Sequence, residues 1–331
     1  MVIKDKVLNM LAKADGNYVS GEDLARSLGV SRNAIWKAIN ALRGQGVFIH
    51  AATNKGYRLG GKADILSEEL IRNYLEDEDG RFFIDVRREV ASTNTVLKQM
   101  AETGAPEGTV LIAQEQTGGK GRLQRRFFSP PGTGIYMSVI LRPCIFAADC
   151  LFITTASAVA VAEAIKEVCG KDARIKWVND VYCDGKKVCG ILTEASLDLE
   201  SGGVAYAVLG IGINVYRPQE GYPEEIAGIA GAVLDNANGT GDLRSRMAAC
   251  VLKRFWAYYS ELNKRRFLDK YKELSMIVGR EVYVLRKNAS HRAFVIGIDD
   301  DCCLRVRYSD GSEELLSSGE VSINPNVAGE I

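Results

Sequence analysis

The segment Lys176-Trp177-Val178-Asn179-Asp180-Val181-Tyr182-Cys183-Asp184-Gly185-Lys186-Lys187-Val188-Cys189-Gly190-Ile191-Leu192 decides how the fold is read. Two apolar runs, Val181 to Cys183 and Val188 to Leu192, flank Asp184-Gly185, a pair suited to the left-handed backbone of a tight hairpin turn. Working outward, Arg174 to Val178, Phe82 to Val86, Thr109 to Ala113, Ile135 to Leu141 and Val204 to Val215 read as further strands. Residues 147–168 form an Ala-rich apolar helix, and 242–274 a long helix with Leu, Phe, Trp and Tyr on one side. Hairpins beside helices predict an α+β domain, with helices on one face of a largely antiparallel sheet.

The same region is chemically loaded. Lys176-Trp177-Val178-Asn179-Asp180 places a cation, an aromatic surface, an amide and a carboxylate at a strand end. Upstream, Gln116-Thr117-Gly118-Gly119-Lys120-Gly121-Arg122-Leu123-Gln124-Arg125-Arg126 follows a strand. Its glycines let backbone N–H groups approach an anion while the cations neutralise charge. It lacks the G-K-[ST] of a Walker loop, and a solvated basic loop is the alternative. Ser92-Thr93-Asn94 reads as three hydrogen-bonding side chains or as a plain helix cap. Gly210-Ile211-Gly212-Ile213-Asn214 reads as a ligand-facing strand or a tightly packed buried one.

The N-terminal sixty residues differ in character. Residues 1–62 hold ten Lys and Arg against four Asp and Glu, a balance of +6, whereas the remainder carries 32 against 38, a balance of −6. Ile3, Val7, Met10 and Leu11 mark a first amphipathic helix, and Ser20 with Asp23 a capping box for a second. Leu28-Gly29-Val30-Ser31 is a tight turn into a third helix, Arg32 to Arg43, whose Ile35, Ile39 and Leu42 face inward. That helix leaves Ser31, Arg32, Asn33, Trp36, Lys37 and Asn40 outside, as a helix-turn-helix (about Gly21 to Asn40) presents donors to a major groove. Val47 to His50 and Gly56 to Leu59, around Thr53-Asn54-Lys55, predict a two-stranded wing. A small helical protein-interaction domain is the alternative; the basic balance favours DNA. Gly60-Gly61-Lys62-Ala63-Asp64 predicts a domain boundary, and short β-runs from about Val278 predict a small C-terminal barrel, giving domains 1–62, 63–275 and 276–331.

A content of 47% hydrophobic and 25% charged residues is ordinary for a globular chain. No stretch reads as long and apolar enough to span a membrane, and charges interrupt the first residues where a signal peptide would be apolar, so the cytoplasm is expected. Cysteines at 144, 150, 169, 183, 189, 250, 302 and 303 form no C-x-x-C pair, which favours reduced thiols over a zinc site.

Taken in order, Ser92-Thr93-Asn94, Gly119-Lys120-Gly121-Arg122, Lys176 to Asp180, Lys187-Val188-Cys189-Gly190-Ile191-Leu192 and Gly210 to Asn214 resemble the biotin–protein ligase pattern across about 120 residues. With the preceding winged helix, the resemblance is to the bifunctional ligases that are also repressors, and it spans essentially the whole chain. It implies an N-terminal winged helix-turn-helix, a central class II synthetase-like catalytic domain of mixed sheet and helices, and a C-terminal SH3-like β-barrel. It implies formation of biotinoyl-AMP from biotin and ATP with Mg²⁺, then transfer to a lysine of the biotin carboxyl carrier protein. Ser92, Thr93, Asn94, Gln116, Lys120, Gly121, Arg122, Lys187 and Gly190 would then bind biotin. Gly119, Arg122, Arg125, Lys176, Trp177, Asn179 and Asn214 would hold ATP or the adenylate. Lys187, Asp180 and Arg122 would be catalytic, with Mg²⁺ entering on ATP and no dedicated protein site. The partners implied are the carrier protein, operator DNA and, once adenylate is bound, a second copy of the chain. The chain departs from the pattern at Lys120 (usually Arg), Leu123-Gln124 (often Arg-Gly) and Val178 (usually Pro), leaving Arg122, Asp180 and Lys187 in place. A lipoate-type ligase and a catalytically silent metabolite-sensing repressor are the rival readings.

Overall fold

The structure, a computed structural model, describes residues 3–14, 16–44, 49–53, 55–59, 64–76, 80–198, 200, 202–236, 241–286 and 289–323. Val47 and Phe48 of the expected wing, Asn54 at its turn and Gly60 to Ala63 at the expected boundary lie outside these residues.

Three helices, α1 (Ile3–Lys13), α2 (Gly21–Leu28) and α3 (Arg32–Gly44), precede a hairpin of β1 (Ile49–Ala52) and β2 (Gly56–Leu59). The Ser20 hydroxyl accepts from Asp23 N–H (3.0 Å) to cap α2, and Ser31 Oγ accepts from Ala34 N–H (3.2 Å) to cap α3. Between them Gly29 takes the left-handed conformation (φ 62°) that an L side chain disfavours. Val7, Leu11, Leu24, Ile35, Ile39 and Leu42 form a small core. Arg32, Asn33, Trp36 and Lys37 stand exposed beside half-buried Asn40.

The central body runs α4 (Glu68–Leu75), β3 (Phe83–Val90), α5 (Thr93–Glu102), β4 (Thr109–Gln116), β5 (Gly134–Leu141), α6 (Cys150–Cys169), β6 (Ala173–Lys176), β7 (Asp180–Cys183), β8 (Lys186–Leu197), β9 (Val204–Asn214), α7 (Glu224–Ala227), α8 (Leu243–Tyr259) and α9 (Leu268–Leu274). Its seven-stranded sheet has the order β3-β4-β5-β9-β8-β7-β6. The β3–β4 pair is parallel and the others antiparallel.

The helices do not share one face as expected. Val110, Ile112, Val139 and Leu141 pack toward α6 and α8, whereas Leu111, Ile140, Tyr206 and Val208 pack against Leu97 and Ala101 of α5. Strands buried on both sides lose the alternation that would reveal their faces. Nor is 242–274 one helix. It stops at Tyr259, passes a single 3₁₀ turn and a left-handed Arg265 (φ 51°), and resumes as α9. The break lets Tyr258 meet Phe267 edge-on at 6.3 Å. Nine residues apart, these rings would lie on opposite sides of a continuous helix. The membrane reading also needs correction: Ala147–Cys169 is long and apolar enough to cross a bilayer, but 72% of its window is buried within the protein, between the sheet and α8.

The C-terminal strands β10 (Glu281–Arg286), β11 (Ala289–Ile298), β12 (Leu304–Tyr308), β13 (Glu313–Leu316) and β14 (Glu320–Ser322) form an antiparallel sheet ordered β13-β12-β11-β10-β14. Val282, Val295, Leu304, Val306 and Val321 join the central core directly. Trp177 Nε1–H donates to Cys302 O (2.9 Å) across that junction.

Candidate functional site

On the α5 side of the sheet, glycines replace side chains where the strands pass the first turn of the helix. In β9, Tyr206 and Val208 lie under α5, and Gly210 and Gly212 continue the same face. A Cβ on Gly210 would stand 2.1 Å from Asn94 Oδ1, and one on Gly212 2.5 Å from the Phe127 ring. Gly190, paired with Gly212, also lies beneath Phe127. The trough so formed opens into a cavity of about 520 Å³, within the range of small-molecule sites.

The α5 N-terminus supplies one wall. Ser92 Oγ accepts from Thr95 N–H (3.5 Å), a cap, while Thr93 donates from both N–H and hydroxyl to Gln116 Oε1 (2.8 and 3.1 Å). Gln116 Nε2 donates to Ser129 Oγ (3.1 Å). Asn94 is engaged at both ends: Ser138 Oγ donates to Oδ1 (2.6 Å), and Nδ2 donates to Glu194 Oε2 (2.9 Å). Its amide therefore holds α5 to the sheet, besides lining the cavity.

The glycine-basic loop is a tight turn. Phe127 N–H donates to Gly119 O (2.9 Å) and Gly121 N–H to Arg125 O (2.8 Å). At its tip Leu123 (φ 55°) and Gln124 (φ 61°) adopt the left-handed conformation, where glycine would be unstrained. Arg122 reaches back to Asn179 Oδ1 (3.0 Å) and across to Gly319 O (3.1 Å), so it links loop, central strand end and C-terminal sheet. Asn179 Nδ2 is held by Ile191 O (2.8 Å).

Lys187 Nζ and Asp180 Oδ1 form an ion pair at 2.7 Å, with side chains 30% and 19% exposed. The hairpin sets this meeting: Asp184 (φ 49°) and Gly185 (φ 76°) turn β7 into β8, and a bulge between Val181 and Tyr182 shifts the register. The backbone of Lys187 also holds the segment 217–231 down. It donates to Ile229 O and accepts from Gly231 N–H (both 2.9 Å), while Lys186 Nζ donates to Gly228 O (2.6 Å). Asn214 Nδ2 donates to Gly231 O (3.0 Å) from the end of β9.

Ser92, Thr93, Asn94, Gln116, Lys120, Gly121, Arg122, Arg125, Lys176, Trp177, Asn179, Asp180, Lys187, Gly190 and Asn214 all line this one cavity. Gly119 does not: it is packed under the loop, where a Cβ would meet Phe127 O at 2.4 Å. Trp177 is 4% exposed, and its indole N–H serves the junction with the C-terminal sheet. Sequence reasoning missed Phe127 and Phe128, which follow the basic loop and stack edge-on with Tyr136 (6.4 Å) and Tyr222 (6.3 Å). It also missed Gly319 and Val321, brought in by the C-terminal sheet. The glycines at alternate positions of Gly210-Ile211-Gly212 were a usable signal, since side chains two apart share a face. Burial raises the Tyr222 phenol to about 12. Among the described residues no group of three His, Cys, Asp or Glu is placed to hold a metal, and the eight cysteines are free.

Comparison with known proteins agrees with this architecture. Residues 86–214 match the Biotin/lipoate A/B protein ligase family, 4–58 an HTH domain and 277–323 the biotin protein ligase C-terminal domain. The Bifunctional ligase/repressor BirA of Bacillus subtilis is 32% identical over 319 residues, covering 96% of this chain and 97% of that protein. The protein of the same description from Escherichia coli is 28% identical, covering 94% of each. The structure of biotin protein ligase from Aquifex aeolicus in complex with biotin and ATP superposes with a TM-score of 0.61 at 30% identity, over 72% of this chain and 97% of that one. The chain thus belongs to the biotin protein ligase family, in the branch of bifunctional ligase/repressors that carry an N-terminal helix-turn-helix.

Proposed function

We propose that the chain condenses biotin with ATP to biotinoyl-AMP, passes biotin to a lysine of the biotin carboxyl carrier protein, and represses transcription through its winged helix. One observation carries the ligase reading: the Thr93–Gln116 network, the Lys187–Asp180 pair and the Arg122 loop face a single cavity floored by glycines. An uncharged ureido head requires directional hydrogen bonds in an otherwise apolar trough, and Ser92, Thr93 and Gln116 offer them. Lys187 would draw the biotin carboxylate and the α-phosphate together and stabilise the charge that develops as a carboxylate oxygen bonds to phosphorus and pyrophosphate leaves. Arg122 and Lys120 hold phosphate, and Asn179 and Asn214 the nucleoside. The segment 217–231 and the basic loop shield the anhydride from water. The carrier's lysine nitrogen then bonds to the acyl carbon and AMP leaves. A free lysine (pKa about 10.4) is neutral in only roughly one molecule in 2,500 at pH 7, so a carboxylate nearby aids the step, and Asp180 is the carboxylate on the cavity wall. Mg²⁺ would enter with the triphosphate and would neutralise charge on its phosphates, and Asp180 is the cavity-lining carboxylate that could face it.

Exposed Arg32, Asn33, Trp36 and Lys37 form the DNA face of α3. One recognition helix reads few base pairs, so repression requires two copies on an inverted repeat, with adenylate binding promoting the pair. The cytoplasm, where ATP, carrier protein and DNA coexist, is the compartment this activity needs.

Incubation with ATP and either biotin or lipoate tests the first half. Adenylate is expected with biotin; adenylate with lipoate alone, or with neither, overturns the reading. A gel-shift titration on a palindromic site upstream of biotin synthesis or transport genes tests the second. Biotin plus ATP should tighten binding, added apo-carrier should weaken it, and Arg32→Ala with Lys37→Ala should abolish it while ligation continues.

A further inference from the structure

A chain of hydrogen bonds runs from outside the cavity to the wall that faces the ligand, and the acceptors at its two ends fix which way it points. Glu194 lies in β8 on the face that carries Gly190 and Leu192, but it does not line the cavity. Its Oε2 accepts from Asn94 Nδ2 (2.9 Å), and Leu192 O lies 3.4 Å from the same nitrogen. A carboxylate and a backbone carbonyl only accept, so the Asn94 amide turns its nitrogen to them and its oxygen to Ser138.

Ser138, fully buried, stands 2.6 Å from Asn94 Oδ1 and 2.7 Å from Thr93 Oγ1. It has one proton, and Asn94 Oδ1 has none to give, so the Ser138 proton goes to that oxygen. The far end is fixed in the same way. Ser129 Oγ donates to Phe127 O (3.0 Å), which leaves it lone pairs for Gln116 Nε2 (3.1 Å). Gln116 therefore turns Oε1 toward Thr93, whose N–H it accepts at 2.8 Å. Between these two fixed amides the single Thr93 hydroxyl proton is spent on Gln116 Oε1 (3.1 Å) or on Ser138 Oγ. Either way Thr93, which lines the cavity, has only lone pairs to offer a ligand. Such a wall takes an N–H donor, which the ureido head of biotin carries. A flipped Asn94 amide would reverse the chain. Ser138 would then donate to Thr93 and fill one of those lone pairs, and the Thr93 proton could turn toward the ligand N–H.

We propose that Glu194 is a positioning residue, which from outside the cavity fixes the Asn94 amide and thereby sets the Thr93 hydroxyl as an acceptor for a ligand N–H. Its effect on the ligand passes through Asn94 and Ser138. The inference rests on the biotin reading of the cavity.

Calorimetric titration of the full chain with biotin, together with adenylation kinetics, tests it. Glu194→Gln keeps the side-chain shape but lets either end of the new amide face Asn94. Biotin affinity should fall about tenfold and the biotin KM rise in step, while the ATP KM and the kcat at saturating biotin stay within about twofold of wild type. Thr93→Val removes the acceptor, so Glu194→Gln added to it should cost less than about twofold more. Asn94→Asp alone sets two carboxylates against each other and should weaken biotin more than about tenfold. Adding Glu194→Gln to it exchanges amide and carboxylate, restores an acceptor toward Ser138 and should recover affinity about fivefold or more. Wild-type affinity in Glu194→Gln overturns the proposal, as does an undiminished loss in the Thr93→Val background or an exchanged pair no better than Asn94→Asp. If the exchanged pair fails to fold, the Thr93→Val cycle decides. A wild type that gives no heat with biotin overturns the functional reading and the proposal with it.

Discussion

Gly210→Ala gives a sharp test of the trough. The new methyl would stand 2.1 Å from Asn94 Oδ1, so the amide must retreat by about an ångström or more to reach ordinary contact. It has little room to do so, because Asn94 is 4% and Ser138 0% exposed, and Ser138 and Glu194 hold the two ends of the amide at 2.6 and 2.9 Å. Leaving a buried polar group unsatisfied costs about 1–3 kcal/mol, and two contacts are at risk, so up to about 2–6 kcal/mol is lost, shared between folding and binding. Asn94 follows Thr93 at the start of α5, so displacement moves the donors to Gln116 as well. At about 1.4 kcal/mol per tenfold, biotin affinity should fall about 10- to 100-fold. Gly228→Ala is the control: it also lines the cavity, its backbone is helical (φ −67°), and a Cβ there meets nothing within 4 Å. Calorimetric titration with biotin, with urea unfolding on the same preparations, should find Gly228→Ala within about twofold of wild type. Wild-type biotin affinity and stability in Gly210→Ala would refute the reasoning, as would equal damage from the control.

Lys187→Ala should reduce adenylate formation about 10²- to 10³-fold in a pyrophosphate-release assay, since one cation serves two anionic reactants; near-normal turnover would remove Lys187 from that role. Arg122→Gly severs the contacts to Asn179 and Gly319 and should let biotinoyl-AMP escape, seen as biotin on lysines of bystander proteins; a variant that stays selective would contradict the shield. Thiols should divide by burial: iodoacetamide at pH 8 should modify exposed Cys144 first. Burial raises the Cys183 thiol to about 12 and Cys189 higher still, so the reactive thiolate is scarce at both; peptide mapping that finds either labelled before unfolding would contradict this packing.

Local features were readable because their causes are local. A capping serine acts on an N–H three residues on, Gly29 and Asp184-Gly185 need left-handed backbone where they stand, and the apolar period of α3 marks its own buried face. The ordered motifs from Ser92 to Asn214 likewise named residues that, Gly119 excepted, line one cavity, and the apolar spacing of 32–43 named the exposed face of α3. The side of the sheet taken by α5, the break after Tyr259 and the seat of α6 were not readable, because each depends on which distant surface an apolar run meets. Asn94 makes the point at one residue. Its sequence neighbours mark it as a cap or a ligand donor, yet its partners come from 44 and 100 positions away and engage both ends of its amide. Asp64 and Arg244 form a buried ion pair 180 residues apart in sequence, and neither carries any local sign of the other. The sequence by itself determined elements, turn chemistry and the inventory of reactive side chains. Only the tertiary structure decided which of those side chains share a cavity and which are held by one another, because hydrogen bonds and burial act through space and their geometry exists only once the sheet has closed.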